Sequence, residues 1–132
     1  MARINSRAKG ASGEREFANW LFENFADIRD KPERNLEQVR NGGSDLIVPP
    51  FMFEVKRVET LALHNWWMQV IKSTREYHAK HDVELEPVVC FRQNRQDWNF
   101  LVSAKHMGCD NGFARLQSPI FRNWVVRNWK FS

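Results

Sequence analysis

The chain has 132 residues, 42% hydrophobic and 27% charged, and only two cysteines. That length suits one domain, the composition excludes a disordered chain, and two cysteines make no disulfide framework. No apolar run approaches the roughly 18 residues of a membrane span, and the basic start from Met1 to Lys9 lacks the apolar stretch of a secretory leader, so the expectation is a reduced, cytoplasmic protein.

Charge is unevenly spread. The net +4 divides into +3 over residues 1–13, −4 over 14–90 and +5 over 91–132. Basic flanks around an acidic centre suit a polyanion gripped at its sides with a cation-binding cluster between. A solvated basic surface would give the same total.

In chain order, residues 1–12 are basic and small, which predicts a mobile arm. A first helix is predicted to open at Ser12-Gly13-Glu14, with Phe17, Trp20, Leu21, Phe25 and Ile28 at helical spacing, and to fade near Asp27–Asp30. The polar stretch 31–44 holds one short candidate strand around Glu37–Arg40 and the turn Asn41-Gly42-Gly43-Ser44. Asp45–Val48 and Phe51–Val58, divided by Pro49-Pro50, predict a hairpin. A second helix fits 62–80, with Trp66, Trp67, Val70, Ile71, Thr74 and Tyr77 on one side. Pro87–Phe91 and Trp98–Val102 predict a second strand pair around the turn Arg92–Gln96. The tail, 108–132, reads as irregular and is of uncertain role, with interleaved rings and cations from Ile120 to Phe131. Those rings suit either a base-stacking surface or an edge strand with alternate rings buried. The expected architecture is a single α/β or α+β domain, with helices packed on a central sheet.

The acids of the centre are oddly placed. At about 100° per residue, the apolar stripe of the first helix centres within roughly 20° of Glu14, while Glu16 points roughly 140° away. Glu14 therefore faces the sheet, where a carboxylate is costly without a partner. The plainer reading makes it a helix-start acid favoured by the macrodipole. With Pro49-Pro50 at the centre of the hairpin, Asp45 opposes Glu54 on one face. Lys56, two residues on, shares that face, and Phe53 and Val55 point into the core. Two opposed carboxylates repel unless a cation or proton lies between them. Oxygen ligands beside a lysine suit Mg²⁺ or Mn²⁺ better than zinc.

These residues carry a resemblance. Lys9-Gly10-Ala11-Ser12-Gly13-Glu14-Arg15-Glu16-Phe17, then Gly42-Gly43-Ser44-Asp45-Leu46, then Phe53-Glu54-Val55-Lys56-Arg57-Val58-Glu59 resemble the PD-(D/E)XK nuclease superfamily. Within it, the pattern is most similar to archaeal-type Holliday junction resolvases and their small phage-encoded relatives. The resemblance implies a restriction-endonuclease-like α/β fold with a central mixed sheet flanked by helices, metal-dependent cleavage of branched DNA, and a homodimer. It implies Glu14, Asp45 and Glu54 as metal ligands, Lys56 as the motif lysine, and Gln69 as a glutamine that often follows the motif. Ser44 stands where the motif's name has proline, a position that shapes the strand entry and does no chemistry.

Around this centre, Arg3, Arg7, Lys9, Arg15, Arg40, Arg57, Arg92 and Arg95 are candidate DNA contacts. Other chemistry is poorly supported. His78, His81, Cys90 and Cys109 do not have the spacing of a known zinc site. Cys109 with His106 lacks a third, orienting group. The Gly-Gly turn lacks the Lys-Ser/Thr of a phosphate loop. The expected function is thus a Mg²⁺- or Mn²⁺-dependent DNA endonuclease. The alternatives are a restriction- or repair-type nuclease on linear DNA and a non-catalytic DNA-binding protein of the same fold.

Overall fold

The computed structural model describes residues 6–25, 28 and 45–131, without the side chains of 6–11 and 45. The candidate strand at 37–40 lies outside these residues. Elements run α1 (Ser6–Asn24), β1 (Asp45–Val48), β2 (Phe51–Arg57), α2 (Leu63–His81), β3 (Glu86–Arg92), β4 (Asn99–Ser103), a 3₁₀ turn (Ala104–Met107), β5 (Phe113–Gln117) and α3 (Ser118–Asn128). The strands form one five-stranded sheet in the order β1-β2-β3-β4-β5.

Among the described residues, only the β2–β3 pair is parallel, and its crossover is α2, as a parallel connection requires. The hairpin has the expected register, with Val48 opposite Phe51 and Asp45 opposite Glu54, across a turn whose Pro49–Pro50 peptide is cis. β3, β4 and β5 continue as an antiparallel meander.

Period-two alternation divides the core between the two faces of the sheet. One face carries Leu46, Phe51, Phe53, Val55, Val88, Cys90 and Phe100, covered by Phe17 and Leu21 of α1 and by Phe121 and Val125 of α3. The other carries Val89, Phe91 and Leu101 beneath Trp66, Trp67 and Val70 of α2. Apolar side chains three and four apart give each helix its inward stripe. Among the expected α2 residues, Trp66, Trp67, Val70 and Thr74 are buried, and Ile71 and Tyr77 are half-buried.

Two expectations need correction. The first helix begins at Ser6, so residues 6–12, read as part of a mobile arm, belong to α1. Their small and basic side chains carry no apolar stripe, which is why a period search does not find them. It also ends at Asn24, short of the expected 27–30, where the Asn24 side chain donates to the Trp20 carbonyl at 2.8 Å.

The second correction concerns the tail, which is not irregular, and whose ring-rich stretch from Ile120 is not an edge strand. Phe113–Gln117 is a strand, but Ile120 to Asn128 lies in a helix packed into the core. The Phe121 ring stacks on Phe100 with centroids 3.8 Å apart and planes 3° from parallel. Phe121, Trp124 and Val125 follow an i, i+3, i+4 pattern behind a Pro at the helix start, a signal that was there to be read. Phe121→Ala should therefore cost about 3–5 kcal/mol in urea unfolding, as for a buried phenylalanine. A disposable tail would leave the midpoint unchanged.

Candidate active site

The site end of the sheet is built by β2. Its Phe53 and Val55 belong to the α1 face, so Glu54 and Lys56 project from the other. Glu54 is 2% exposed. A buried carboxylate requires a cation or donors around it. Lys56 provides one, its Nζ lying 3.3 Å from Glu54 Oε1. The register sets Asp45 directly across from Glu54, although the Asp45 side chain is outside the described residues.

Glu14 reaches the same end of the sheet from the opposite side. A close approach puts it there: a Cβ on Gly13 would stand 2.8 Å from Arg57 Cβ and 3.9 Å from Val55 Cγ1. Glycine lets the helix lie directly on the end of β2. The next residue, Glu14, is 2% exposed, in agreement with the helical phase. Glu14 and the Glu54–Lys56 pair thus approach one strand end from its two faces.

The interior between them is electrostatically marked. Cys90, on β3, donates its Sγ–H to the Glu54 carbonyl at 3.6 Å. Burial pushes this thiol well above its ordinary pKa, and the Glu54 and Glu14 carboxylates push it the same way. Cys90 is therefore a neutral thiol and no nucleophile.

Glu16 needs correction. The phase argument makes it an outward, dispensable acid. Instead it accepts from Arg57 Nε at 3.3 Å and from Arg92 Nη1 in a very short contact. Arg57 Nη1 also reaches the Arg92 carbonyl at 3.3 Å, and lies 3.8 Å from Glu59 Oε1. Glu59 in turn accepts from the Asn94 backbone N–H at 2.7 Å, and its carbonyl accepts from Gln93 Nε2 at 2.8 Å. Helical phase reports where a Cβ points. It says nothing of two arginines whose long side chains reach the helix from the ends of β2 and β3.

The candidate DNA contacts scatter accordingly. Arg57 and Arg92 sit in this carboxylate-balanced cluster. Arg15 and Arg95 are exposed, and Arg95 adopts a positive φ of 63° in the β3–β4 turn. Gln69 is exposed on α2. Arg7 and Lys9 fall on the opening turns of α1, while Arg3 and Arg40 lie outside the described residues.

Among the described residues, nothing gathers zinc ligands. His78 and His81 lie in the last turn of α2, which ends at the left-handed Asp82. Basic side chains there complement the helix dipole. Cys90 is buried and Cys109 exposed. His106 pairs with Glu86 at 2.6 Å. Among the described residues, no three His, Cys, Asp or Glu side chains cluster. Asp45, expected to join Glu14 and Glu54, has its side chain outside that set.

The fold and the motif order, a helix acid followed by a β-hairpin with its Glu-Val-Lys, define an α/β protein of the restriction-endonuclease-like class. The chain belongs to the family described as "Phage putative PDDEXK endonuclease", whose model matches residues 5–128. It is thus a member of a nuclease family, whose substrate is DNA. No curated protein and no solved structure matches it. No helix among the described residues is long and apolar enough to cross a membrane.

The Glu16 cluster gives a test of its own. Glu16→Gln should lower stability by about 1 kcal/mol in denaturant unfolding, the scale of a partly exposed multi-bonded pair. Glu23→Gln, an exposed acid on the same helix, should change nothing measurable.

Proposed function

We propose that this protein is a divalent-metal-dependent DNA endonuclease that hydrolyses phosphodiester bonds and acts as a homodimer on branched DNA such as four-way junctions, in the cytoplasm of a bacterial host. The observation that carries this reading is a carboxylate 2% exposed, held by a lysine 3.3 Å away and faced across a hairpin by a second acid. A purely structural strand does not need that charge in its interior, whereas hydrolysis of a phosphodiester does.

The donor set fits a hard cation. Asp45, Glu54 and Glu14 would hold Mg²⁺ or Mn²⁺ through carboxylate oxygens. When bound, such an ion acidifies a water and offsets the charge that grows on phosphorus oxygens. The remaining work falls to the chain. Lys56 fixes the Glu54 carboxylate and presents a positive charge to the scissile phosphate. Burial of Glu54 and Glu14 keeps both carboxylates in defined places as the strand docks. The basic residues at the start of α1 lie near Glu14 in sequence and would guide the backbone towards it. Junction specificity is supported by the resemblance in the Gly-Gly-Ser-Asp and Glu-Val-Lys segments together with the two basic flanks, which in a dimer offer positive surface for two duplex arms.

Cleavage is tested with matched four-way junction, linear duplex and single-stranded DNA in Mg²⁺ or EDTA. Junction cutting should exceed linear cutting and vanish in EDTA. Equal cutting of linear duplex would favour a restriction- or repair-type enzyme. Glu54→Gln should reduce cleavage to background while DNA binding stays intact or tightens, because a negative charge near phosphate is gone. Cleavage that survives this change would refute the assignment. Glu14→Gln should weaken Mn²⁺ binding by calorimetry as well as cleavage. If Mn²⁺ affinity were unchanged, Glu14 would be a buried acid in the middle of α1 and no metal ligand.

A further inference from the structure

On the face of the sheet that carries Glu54 and Lys56, strand register lines up a single row across four strands. Lys56 is opposite Phe91, Phe91 opposite Asn99, and Asn99 opposite Gln117. Arg115, two residues before Gln117 on the edge strand, projects to the same face. Its guanidinium lies 5.1 Å from the centroid of the Phe91 ring, and its Nε donates to Asn99 Oδ1 at 3.3 Å. The Asn99 amide is itself fixed, donating Nδ2 to the Asp97 carbonyl at 3.3 Å.

Arg115 has no carboxylate partner among the described residues, in contrast to Arg57 and Arg92. An arginine held by ring contact and by one nitrogen keeps its two terminal nitrogens for another acceptor. Arg115 borders a pocket of about 360 Å³ that is also lined by Gln96, Asp97, Asn99, Gln117 and Ser118. Its polar lining is amide, hydroxyl and guanidinium, with one acid, Asp97, and Trp98 and Pro119 supply apolar wall.

We propose that the Arg115 pocket is a subsite for a backbone phosphate of the DNA strand on one side of the scissile position. The proposal rests on the nuclease reading above and adds a contact away from the cut. Three strand spacings separate Lys56 on β2 from Arg115 on β5, about 14 Å. Phe91 between them is 1% exposed beneath Trp66, so the strand passes the end of the sheet and reaches Arg115 a few nucleotides from the scissile phosphate. Planar, two-nitrogen recognition of phosphate oxygens is what a pre-oriented arginine offers and a lysine does not.

The test uses the full chain carrying Glu54→Gln, so that binding is measured without cleavage, on a labelled junction over a range of salt. Adding Arg115→Gln should weaken binding about tenfold and reduce the slope of log affinity against log salt by about one. Arg115→Lys should restore the slope and only part of the affinity. Asp97→Asn should tighten binding, since it removes the one acid of the pocket. Arg75→Gln, near Pro50 at the opposite end of the sheet, should do neither. The Arg115 effect should also disappear when the strand on that side of the cleavage position is removed. Unchanged affinity and slope for Arg115→Gln, with a native unfolding midpoint, would overturn the subsite while leaving the nuclease reading in place. Failure of the parent protein to bind DNA at all would overturn both.

Discussion

The Glu54 carboxylate is the constraint around which the site end of this protein is arranged. At 2% exposure it has given up most of its hydration, and only compensation close at hand makes that tolerable. Lys56 supplies part of it from two residues along the same strand. Asp45 is directly opposite in register, and like charges paired across a hairpin repel. A strand that serves only as scaffold would place an apolar residue at Glu54, as β2 does at Met52 on the same face. The sheet accepts the charge because its other face is well supplied. Phe51, Phe53 and Val55 pack under α1 and α3, so the strand is anchored independently of what lies at Glu54.

Anchoring extends to the helix that brings Glu14. Gly13 lets α1 descend onto Arg57, and Glu16 then ties the helix to Arg57 and Arg92 on two adjacent parallel strands. Between that close approach and that ion cluster, Glu14 has little freedom. Its position is over-determined by backbone contact on one side and charge on the other. The same cluster also redistributes the positive field. Two arginines that look like nucleic-acid contacts in the sequence are largely neutralised by Glu16 and Glu59. The cations left to meet a polyanion are those without such partners, Arg115 among them.

The hairpin was legible in the sequence because its signals are local. Alternation fixes the face of every residue, and Pro49-Pro50 fixes the centre, so the Asp45–Glu54 pairing follows from counting. The inward face of Glu14 was legible for the same reason, since phase is a property of the helix alone. The extra turns at the start of α1 were not, because Arg7, Lys9 and the small residues near them show no apolar period. The role of Glu16 was hidden for a different reason. It depends on Arg57 and Arg92, respectively 41 and 76 residues away, and no local pattern encodes that meeting. The helix at 118–128 was misread although its signal was present. Interleaved cations and exposed Ile120 and Val126 masked the i, i+3, i+4 spacing of its buried rings.

That last helix changes how the sheet's far edge is understood. β5 pairs only with β4 and is an edge strand, the place where backbone groups stand open to other chains. α3 follows it at once, and Phe121 turns back across the sheet to stack on Phe100. The chain reversal at Gln117–Ser118 thereby binds the edge to the core. A strand fastened in this way can hold Arg115 at a fixed distance from Lys56, three strands away in one sheet. Register transmits position across hydrogen-bonded strands with little loss, whereas a loop would not. On the subsite proposal, the rigidity contributed by the tail is what lets an edge residue and Lys56 act on one extended ligand.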